Sequence, residues 1–372
     1  MPTVSYDVSI VTSGHDVADA RLHRIVAAAV RSGLTVEVLG TGAAAAGPAG
    51  SAVRTWPRAG LGRRLLRALT LPWRTRGAVL LTLDPDAAVG AEPARRARNR
   101  RLVVDVHEDY AALLRDRAWA SGLRGRLAGR VVRLATAVAG RADLTVVADE
   151  HLPPPEASCR RRLVVRNLPD LRLMAIPAGP EAGRKSGLRA VYIGDVRRSR
   201  GLVSMVEAVA AAPGWTLDIV GPVSREDAGW LRDRLARTDV GARVRLHGRQ
   251  PPAQAWRIAD GASIGLALLE DTPAFRAAVP TKVYEYLAAG MAVVASPLPR
   301  VVSLLAESGG GTVVKDAAEA GALLRRWGAD GGAQLASMRD AAREWSAGVF
   351  GSETPYDELA RELATLAKER HG

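Results

Sequence analysis

The chain has 372 residues, of which 48% are hydrophobic, and a formal net charge of +13 at neutral pH. This length favours two domains, and because the chain has only two Phe and six Tyr we expect two aliphatic cores. A single cysteine, Cys159, excludes an internal disulfide and a cysteine-rich zinc site.

Short apolar runs alternate with longer amphipathic stretches, a pattern typical of parallel sheets covered by helices. In the first half, which we take as a domain spanning residues 1–168, the pattern predicts six strands. They lie near residues 6–11, 35–39, 78–83, 102–106, 144–148 and 163–166. Helices are predicted at 17–32 and, as one or two helices, at 109–139. The expected fold class is α/β.

Residues 169–187 are rich in Pro and Gly and show no sustained period, so they are predicted to be a linker. A second domain is predicted at 188–350, and the helical pattern of 351–372 could cross back onto the first. The second domain has strand candidates at 189–193, 216–220, 243–247, 263–268 and 292–296. Two doubly wound sheets joined by a hinge would face a central cleft, where ligands of this class bind.

The most informative stretch is PTKVYEYLAAGMAVVAS, residues 280–296. Pro280 can start a helix and Gly290 can end it before a buried strand. The helix N-terminus offers amides to an anion, Lys282 adds a positive charge, and Glu285 could accept bonds from ribose hydroxyls. This arrangement suits a nucleotide diphosphate. The alternative is a capped surface helix on which Lys282 and Glu285 form a solvated pair.

A second stretch, VYIGDVRRSRGLVSMVEAV, spans residues 191–209. A buried strand leads into Gly194, a basic loop follows, and a helix begins near Arg200. Such a turn at a helix N-terminus binds anions, and Arg197, Arg198 and Arg200 could neutralise a pyrophosphate. An ordinary exposed basic loop is the alternative.

In order and separation, these two stretches resemble the donor-site signatures of retaining GT-B glycosyltransferases of family 4, also called group 1. The first half agrees. Residues 13–40 resemble the family's opening segment, with Asp19 and Arg21 as its Asp-x-Arg. Residues 103–110, VVDVHEDY, resemble its Asp-x-His-Glu strand end. The resemblance covers roughly residues 6–314 and implies a GT-B fold of two Rossmann-like domains.

Residue by residue, the resemblance implies that Arg200 binds the donor pyrophosphate and that Glu285, the second Glu of the Glu-x7-Glu motif, holds the donor ribose. Gly14 would lie in the loop that closes on the donor phosphate. His107 would face the transferred sugar, and its position at the end of an apolar strand supports a role in the site. The alternative for His107 is a strand-end histidine bonded to backbone.

The chain departs from the family pattern at two positions. The first Glu of Glu-x7-Glu falls at Ala277, and the Arg that usually follows the strand glycine is Asp195. The sugar-contacting carboxylate is therefore absent or supplied from elsewhere, and Arg197 or Arg198 could replace the missing cation.

Two short motifs point elsewhere. Asp84-Pro85-Asp86 has the spelling of a metal-binding DxD, but it follows a strand and is expected to begin a loop, so we predict no metal site. The GxGxxA spelling at residues 40–45 follows the second strand, Gly47, Pro48 and Gly50 break any helix after it, and no acidic residue stands about 20 positions further on. A dehydrogenase is therefore not predicted, and no cofactor is expected.

Arginine and leucine alternate from Arg58 to Arg76 and again from Arg115 to Arg141 around Trp119. Such helices can lie on an anionic membrane, which would suit a lipid-linked acceptor. The alternative is a solvated face whose apolar side packs on its own sheet. Nucleic acid is not expected as a partner, because aromatics are few and no reading motif occurs. No signal peptide or membrane span is recognised, so a cytoplasmic protein is expected, which could be peripheral at the inner face of the cell membrane.

The sequence thus predicts a hexosyltransferase-type enzyme that moves a sugar from a nucleotide diphosphate sugar to an unknown acceptor hydroxyl. Retaining transfer needs little acid or base from the protein, because the leaving diphosphate can accept the acceptor's proton. A nucleotide-sugar epimerase on the same fold and a non-catalytic nucleotide-sugar-binding protein remain as alternatives.

Overall fold

The computed structural model describes residues 6–115, 122–174, 188–276, 279–330, 332–351 and 353–369. The chain divides into two compact units, the first made of Met1–Asn167 with Glu353–Gly372 and the second of Leu168–Ser352. Most of the predicted linker, together with Trp119 and Ala277, lies outside the described residues.

The first unit contains a seven-stranded parallel sheet of order β3-β2-β1-β4-β5-β6-β7. Its strands are β1 (Tyr6–Asp16), β2 (Val36–Thr41), β3 (Ala52–Trp56), β4 (Gly77–Thr82), β5 (Arg101–Val106), β6 (Leu144–Val147) and β7 (Arg162–Val164). Its helices are α1 (Ala20–Arg31), α2 (Leu61–Thr70), α3 (Pro85–Ala97), α4 (Tyr110–Arg115) and α5 (Gly122–Arg141).

The second unit contains a six-stranded parallel sheet of order β10-β9-β8-β11-β12-β13. Its strands are β8 (Arg189–Ile193), β9 (Thr216–Val220), β10 (Val244–Gly248), β11 (Ile264–Ala267), β12 (Ala292–Ala295) and β13 (Gly311–Val313). Its helices are α6 (Leu171–Met174), α7 (Leu202–Ala210), α8 (Ala228–Leu235), α9 (Pro252–Ala259), α10 (Pro273–Arg276), α11 (Thr281–Ala288), α12 (Pro299–Ser308), α13 (Ala317–Ala329) and α14 (Ala333–Val349).

Both sheets are doubly wound, and the strand order reverses between β1 and β4 in one and between β8 and β11 in the other. In open α/β sheets, ligands bind outside the carboxyl ends of the strands at such a reversal. The predicted α/β class and the two Rossmann-like sheets are confirmed. Functional residues are therefore to be sought after β1, β4 and β5, and after β8 and β11.

Two strands were not predicted, and both are at a sheet edge. β3 follows the Gly-rich loop and its side chains are half-buried or exposed, whereas β13 has only three residues. Edge strands are covered on fewer sides than central ones, so their apolar pattern is weaker.

The expectation of purely aliphatic cores is wrong for the second unit. Trp215, Trp327, Tyr192 and Tyr286 are all fully buried there. The indole of Trp215 also donates to the carbonyl oxygen of Leu324 at 2.8 Å. A small number of aromatic residues does not keep them from the core, because each buries a large apolar area and its polar atom can find a partner.

The last helix, α15 (Pro355–Lys368), begins with a capping box formed by Thr354 and Asp357. Its apolar stripe, which includes Tyr356, Leu359 and Leu363, is buried in the same core as α1 and β1 of the first unit. Burial of this stripe, rather than helix propensity alone, stabilises the helix.

Asp84-Pro85-Asp86 does not begin a loop, which corrects the sequence interpretation. Pro85 is the first residue of α3 and Asp84 is its N-terminal flanking residue. Proline suits the first helical position because the amide it lacks would have no intrahelical partner there.

Among the described helices, none combines the length and apolar character that a bilayer span requires.

Candidate active site

In the first unit, the segment at the end of β1 is held by the carboxylate of Asp84, which follows β4. Asp84 Oδ2 accepts hydrogen bonds from Thr12 Oγ1 at 2.6 Å and from the amides of Ser13 at 2.8 Å and Gly14 at 3.1 Å. The side chain is buried, so these bonds are made in a medium where they are strong. Gly14 is thereby fixed to the neighbouring strand end, with the guanidinium of Arg64 packed against it.

His15 follows Gly14, and its Nδ1 lies 2.8 Å from Asp84 Oδ1. Burial by itself would lower the pKa of His15, but the charge and hydrogen bond of Asp84 outweigh burial and raise the pKa to about 10. Burial likewise opposes ionisation of Asp84, yet His15 and Arg64 hold the pKa of that carboxyl far below its usual range. The pair is therefore an imidazolium and a carboxylate at neutral pH.

His107 lies directly after β5 and contacts His15. Their Nε2 atoms are 3.3 Å apart and their rings meet edge to face with centroids 4.9 Å apart. His107 Nδ1 lies 3.2 Å from Asp105 Oδ2, within ion-pair distance but without the alignment of a hydrogen bond. The ring of Tyr110 stands edge-on at 6.0 Å.

The two imidazoles and two carboxylates form a row in which His15 and His107 meet through Nε2 while each Nδ1 faces an aspartate. Because the pKa of His15 is raised to about 10, its ring carries a proton on both nitrogens at neutral pH and can donate from Nε2 toward His107. His107 is thus positioned by two neighbours rather than by backbone alone.

Asp105, inside β5, is fully buried and is paired with Arg21 of α1. Arg21 donates from Nε at 2.7 Å and from Nη2 at 2.6 Å to the two carboxylate oxygens, and from Nη1 to the carbonyl of Val165. Burial would raise the pKa of Asp105, but Arg21 holds it well below its usual value. Asp19 accepts from the amides of Arg21 and Leu22 and caps α1. The two N-terminal motifs therefore meet through this ion pair.

Both carboxylates of the DxD spelling are engaged by protein groups. Asp86 accepts from Ser13 Oγ at 2.7 Å and from Arg64 Nε at 3.0 Å, while Asp84 holds the end of β1 and His15. Within the described ranges, no group of three or more His, Cys, Asp or Glu side chains could hold a metal ion. The two carboxylates therefore hold the last part of β1, residues 12–15, and Gly14, which was expected in a loop, lies within this strand.

In the second unit, β8 ends at Ile193 and leads through Gly194 into a short 3-10 turn, Arg198–Arg200, before α7. Gly201 joins the turn to α7 with φ of 86°, and a Cβ there would lie 2.1 Å from the carbonyl oxygen of Leu268. Only glycine combines this left-handed backbone with such close packing. Arg200 is therefore placed at the start of α7 by the fit of Gly201 against the end of β11.

Lys282 lies in the first turn of α11 and is buried, with 8% of its surface exposed. Its Nζ is 3.6 Å from the ring centroid of Tyr192 and has no hydrogen-bond acceptor among the described residues. It also lies 3.1 Å from the position a Cβ would occupy at Gly194. Burial, together with the charge of Arg200, lowers the pKa of Lys282 well below its ordinary value, while Glu285 and Asp195 oppose the shift.

Glu285 is one turn further along α11 and is also buried, with 8% exposed. The alternative in which Lys282 and Glu285 form a solvated surface pair is therefore wrong. No side chain caps the N-terminus of α11 at Pro280. Lys282, Glu285 and the start of α11 lie together with Arg200, as the two sequence stretches predicted.

The other loop arginines are engaged with carboxylates. Arg197 lies 3.2 Å from Asp195, which also contacts Arg249 at 3.3 Å. Arg198 pairs with Asp227 at 3.0 Å and covers the ring of Trp230 at 5.5 Å, so its charge is used structurally. Arg200 has no carboxylate partner among the described ion pairs, and its guanidinium interacts with the hydroxyl of Tyr192.

Two residues of this region were not predicted from the sequence. They are Tyr192, whose ring contacts the Lys282 amine, and His15, which pairs with Asp84 and contacts His107. Asp84, examined only as a metal ligand, anchors the end of β1 and His15 instead. A buried acid at a strand end is a signal for such anchoring, because an unpaired carboxylate is costly there. For Tyr192, no sequence signal separates a ring beneath a lysine from an ordinary core residue.

Residues 197–363 match the family model described as glycosyl transferase-like. No curated protein sequence matches the chain. Among solved structures, the chain is similar to HepE (Alr3699) of Anabaena in complex with UDP and glucose, with a TM-score of 0.67 and 16% identity over 96% of this chain and 99% of that one.

The chain is also similar in structure to a sucrose-phosphate synthase of Thermosynechococcus elongatus, with a TM-score of 0.65, 14% identity and 98% of each chain covered. A third similar structure is that of WaaG, a glycosyltransferase involved in lipopolysaccharide biosynthesis, with a TM-score of 0.63 and 14% identity over 96% of this chain and 99% of that one. Residues 197–363 thus form a glycosyl transferase-like domain, and the chain has the GT-B fold of these solved glycosyltransferases.

Proposed function

We propose that the chain transfers a glycosyl group from a nucleotide diphosphate sugar to an acceptor hydroxyl, with retention at the anomeric carbon. The observation that carries the proposal is the grouping of three charged side chains from two helix starts: Arg200 before α7, and the buried Lys282 and Glu285 in α11, with the charges of Arg200 and Glu285 both acting on the Lys282 amine. Two cations suit a diphosphate, and a carboxylate one turn away suits the ribose hydroxyls.

The neighbours support a nucleotide-sugar donor. HepE has been solved with UDP and with UDP-glucose. These ligands make uridine diphosphate sugars the first donors to test here. Asp195 occupies the position of an expected arginine, and Arg197, which contacts Asp195, is proposed as the replacement cation for the phosphates.

The proposed chemistry asks the chain mainly to bind and to stabilise charge. As the bond between sugar and diphosphate breaks, negative charge grows on the leaving diphosphate, and Arg200, Lys282 and the amides at the start of α11 are proposed to stabilise it. The diphosphate then accepts the proton of the attacking hydroxyl. His107 is proposed to contact the transferred sugar and Gly14 the donor phosphate, as the family resemblance implies.

Calorimetric titration with a panel of nucleotide diphosphate sugars tests the donor site. We expect Arg200→Ala and Glu285→Ala each to weaken binding at least about tenfold, the loss of roughly one charged hydrogen bond. Arg198→Ala is the matched control, because that arginine is in the same turn but is paired with Asp227 and stacked on Trp230. Equal binding by all three variants and the parent chain would show that the site is misplaced.

Product analysis separates transfer from the alternatives. A retaining transferase yields a new glycoside with the anomeric configuration of the donor only when an acceptor is present, as read by proton NMR. An epimerase or hydrolase converts the nucleotide sugar without any acceptor. Binding without turnover across a broad acceptor set would favour a non-catalytic binding protein.

The exposed leucines of α2 favour an acceptor at a membrane surface. Leu61, Leu65 and Leu69 recur every fourth residue on one side of the helix and are 64%, 44% and 47% exposed. Of the α2 side chains only Ala68 is buried, so the alternative in which the apolar side packs on its own sheet is wrong for this helix. α2 and α5 both pack against α3, and Leu127 and Leu134 of α5 are exposed as well.

Exposed arginines surround these leucines, including Arg63 and Arg74 near α2 and Arg126, Arg130 and Arg133 on α5. We propose an anionic bilayer as the partner of this face, because leucines enter the acyl boundary while arginines pair with lipid phosphates. Sedimentation with vesicles containing phosphatidylglycerol, compared with pure phosphatidylcholine vesicles, tests it. Leu61→Gln with Leu65→Gln should abolish binding to the anionic vesicles, and binding that survives both changes would refute the assignment.

A further inference from the structure

Lys282 is unusual because its amine is buried yet has no hydrogen-bond acceptor in the part of the chain that the structure describes. Its contacts are the face of Tyr192 at 3.6 Å and the backbone at Gly194. An aromatic face attracts an ammonium, but it replaces only part of the hydration that the ion loses on burial. Asp195 and Glu285 act on the amine through their charge, but no carboxylate of the described residues bonds to it directly.

The groups that face Lys282 determine its charge. Arg200 adds a second positive charge, whereas Asp195 and Glu285 add negative ones. Burial and Arg200 dominate, so the pKa of Lys282 is lowered well below its ordinary value. Burial raises the pKa of Tyr192, so that phenol stays protonated. Among these groups, Lys282 is the amine whose charged form is disfavoured by its buried position, because no acceptor of the described residues bonds to it.

We propose that binding of the donor diphosphate is coupled to uptake of one proton by the amine of Lys282. This inference rests on the proposed function and goes further, because it makes donor affinity depend on pH through one residue. The proton comes from the buffer and completes the ammonium. The negative charge of the diphosphate then stabilises that ammonium in the same buried position.

The sign follows from linkage. Between the lowered pKa of the free protein and the higher pKa of the complex, the complex holds one more proton, so affinity falls as pH rises. The limiting slope is about tenfold in Kd per pH unit for one proton. Below this window the amine is charged in both forms and the pH dependence disappears.

The experiment is calorimetric titration with the nucleotide diphosphate sugar of the panel that binds most tightly. The phosphates of a nucleotide sugar do not titrate near neutrality, whereas the singly substituted terminal phosphate of UDP has a second ionisation with a pKa of about 6, as in a phosphate monoester. Titrations in buffers of low and high ionisation enthalpy, from about pH 7 to 9, count the protons taken up. Positive dependence of the binding enthalpy on buffer ionisation enthalpy is expected for the parent chain.

Lys282→Arg is the decisive variant, since a guanidinium is charged in both states and takes up no proton. It should bind with an enthalpy independent of buffer and with a flat pH profile. Lys282→Met should bind weakly and also take up no proton. Thermal unfolding of both variants checks that they are folded.

Three results would overturn the inference. The first is binding by the parent chain without proton uptake, and the second is unchanged uptake in Lys282→Arg or Lys282→Met. The third is an affinity that rises with pH. If no sugar of the panel binds at all, the proposed function itself fails, which distinguishes the two ideas. The first and third results are measured on the parent chain, so the inference can be refuted even if both variants fail to fold.

Discussion

Replacing Asp84 with Asn should loosen the end of β1, residues 12–15, and remove the charge from His15. The carboxylate now accepts three bonds at Oδ2 and faces His15 Nδ1 with Oδ1. Asparagine keeps one acceptor oxygen and brings an amide group in place of the other. If the asparagine oxygen still accepts the three hydrogen bonds from Thr12, Ser13 and Gly14, its NH2 group faces His15. Nδ1 of His15 must then be unprotonated to accept a hydrogen bond from that group.

Asp84→Asn should also change how the free energy of unfolding of the first unit depends on pH. Because the pKa of His15 is raised from 6.5 to about 10 on folding, its contribution is fully present below about pH 6.5 and lost as pH rises toward 10. That shift corresponds to at most about 5 kcal/mol, and breaking a buried pair typically costs about 3 to 5 kcal/mol. We therefore expect Asp84→Asn to lower the free energy of unfolding of the first unit by roughly 3 to 5 kcal/mol at pH 6.

Hydrogen exchange at increasing urea concentration, read by mass spectrometry on peptides of β1 and β4, reports the first unit separately from the second. The parent chain should lose stability between about pH 6.5 and 10, whereas Asp84→Asn should not. Asp86→Asn is the control, because Asp86 holds Ser13 and Arg64 but does not contact His15. It should keep the parent's slope.

The reasoning would be refuted if Asp84→Asn retained the parent's loss of stability over this pH range. A destabilisation below about 1 kcal/mol would likewise contradict a buried, fully bonded carboxylate. Carbon-13 NMR titration of labelled histidine gives an independent check, since the His15 resonance should titrate far above the usual range in the parent alone.

Three further substitutions test contacts in the two units: at Gly201, at Arg21 and on helix α2. Gly201→Ala should destabilise the second unit by roughly 2 to 4 kcal/mol in urea unfolding, because a Cβ would meet Leu268 O at 2.1 Å; Gly214→Ala, also left-handed but with its nearest contact at 3.5 Å, should cost less. Arg21→Lys should destabilise the first unit by about 2 to 4 kcal/mol, as a point charge cannot replace the two-pronged pair with Asp105, and an unchanged midpoint would contradict that role. Leu66→Gln should change stability by less than about 0.5 kcal/mol, because this side chain of α2 is 61% exposed, and a larger loss would mean that α2 packs more tightly than described.

The sequence by itself determined the two-sheet architecture and indicated where along the chain the proposed site residues lie. Parallel strands covered on both faces appear as continuous apolar runs, so the central strands of both sheets could be recognised, whereas the edge strands β3 and β13 could not. Positions after strands mark the carboxyl edge of a sheet, and this placed His107, Gly14 and Arg200 at strand ends. The helix start at Lys282 and Glu285 was likewise readable from Pro280 and Gly290.

Only the tertiary structure decided which side chains meet. His15 and His107 are 92 positions apart, and Arg21 and Asp105 are 84 apart. Local periodicity carries no information on such pairs, because they depend on the sheet order that sets β1 beside β4 and β5 beyond it. The same holds for Lys282. The lowered pKa of its amine depends on burial against Tyr192 and near Arg200, and burial of a single amine results from packing rather than from its neighbours in the chain.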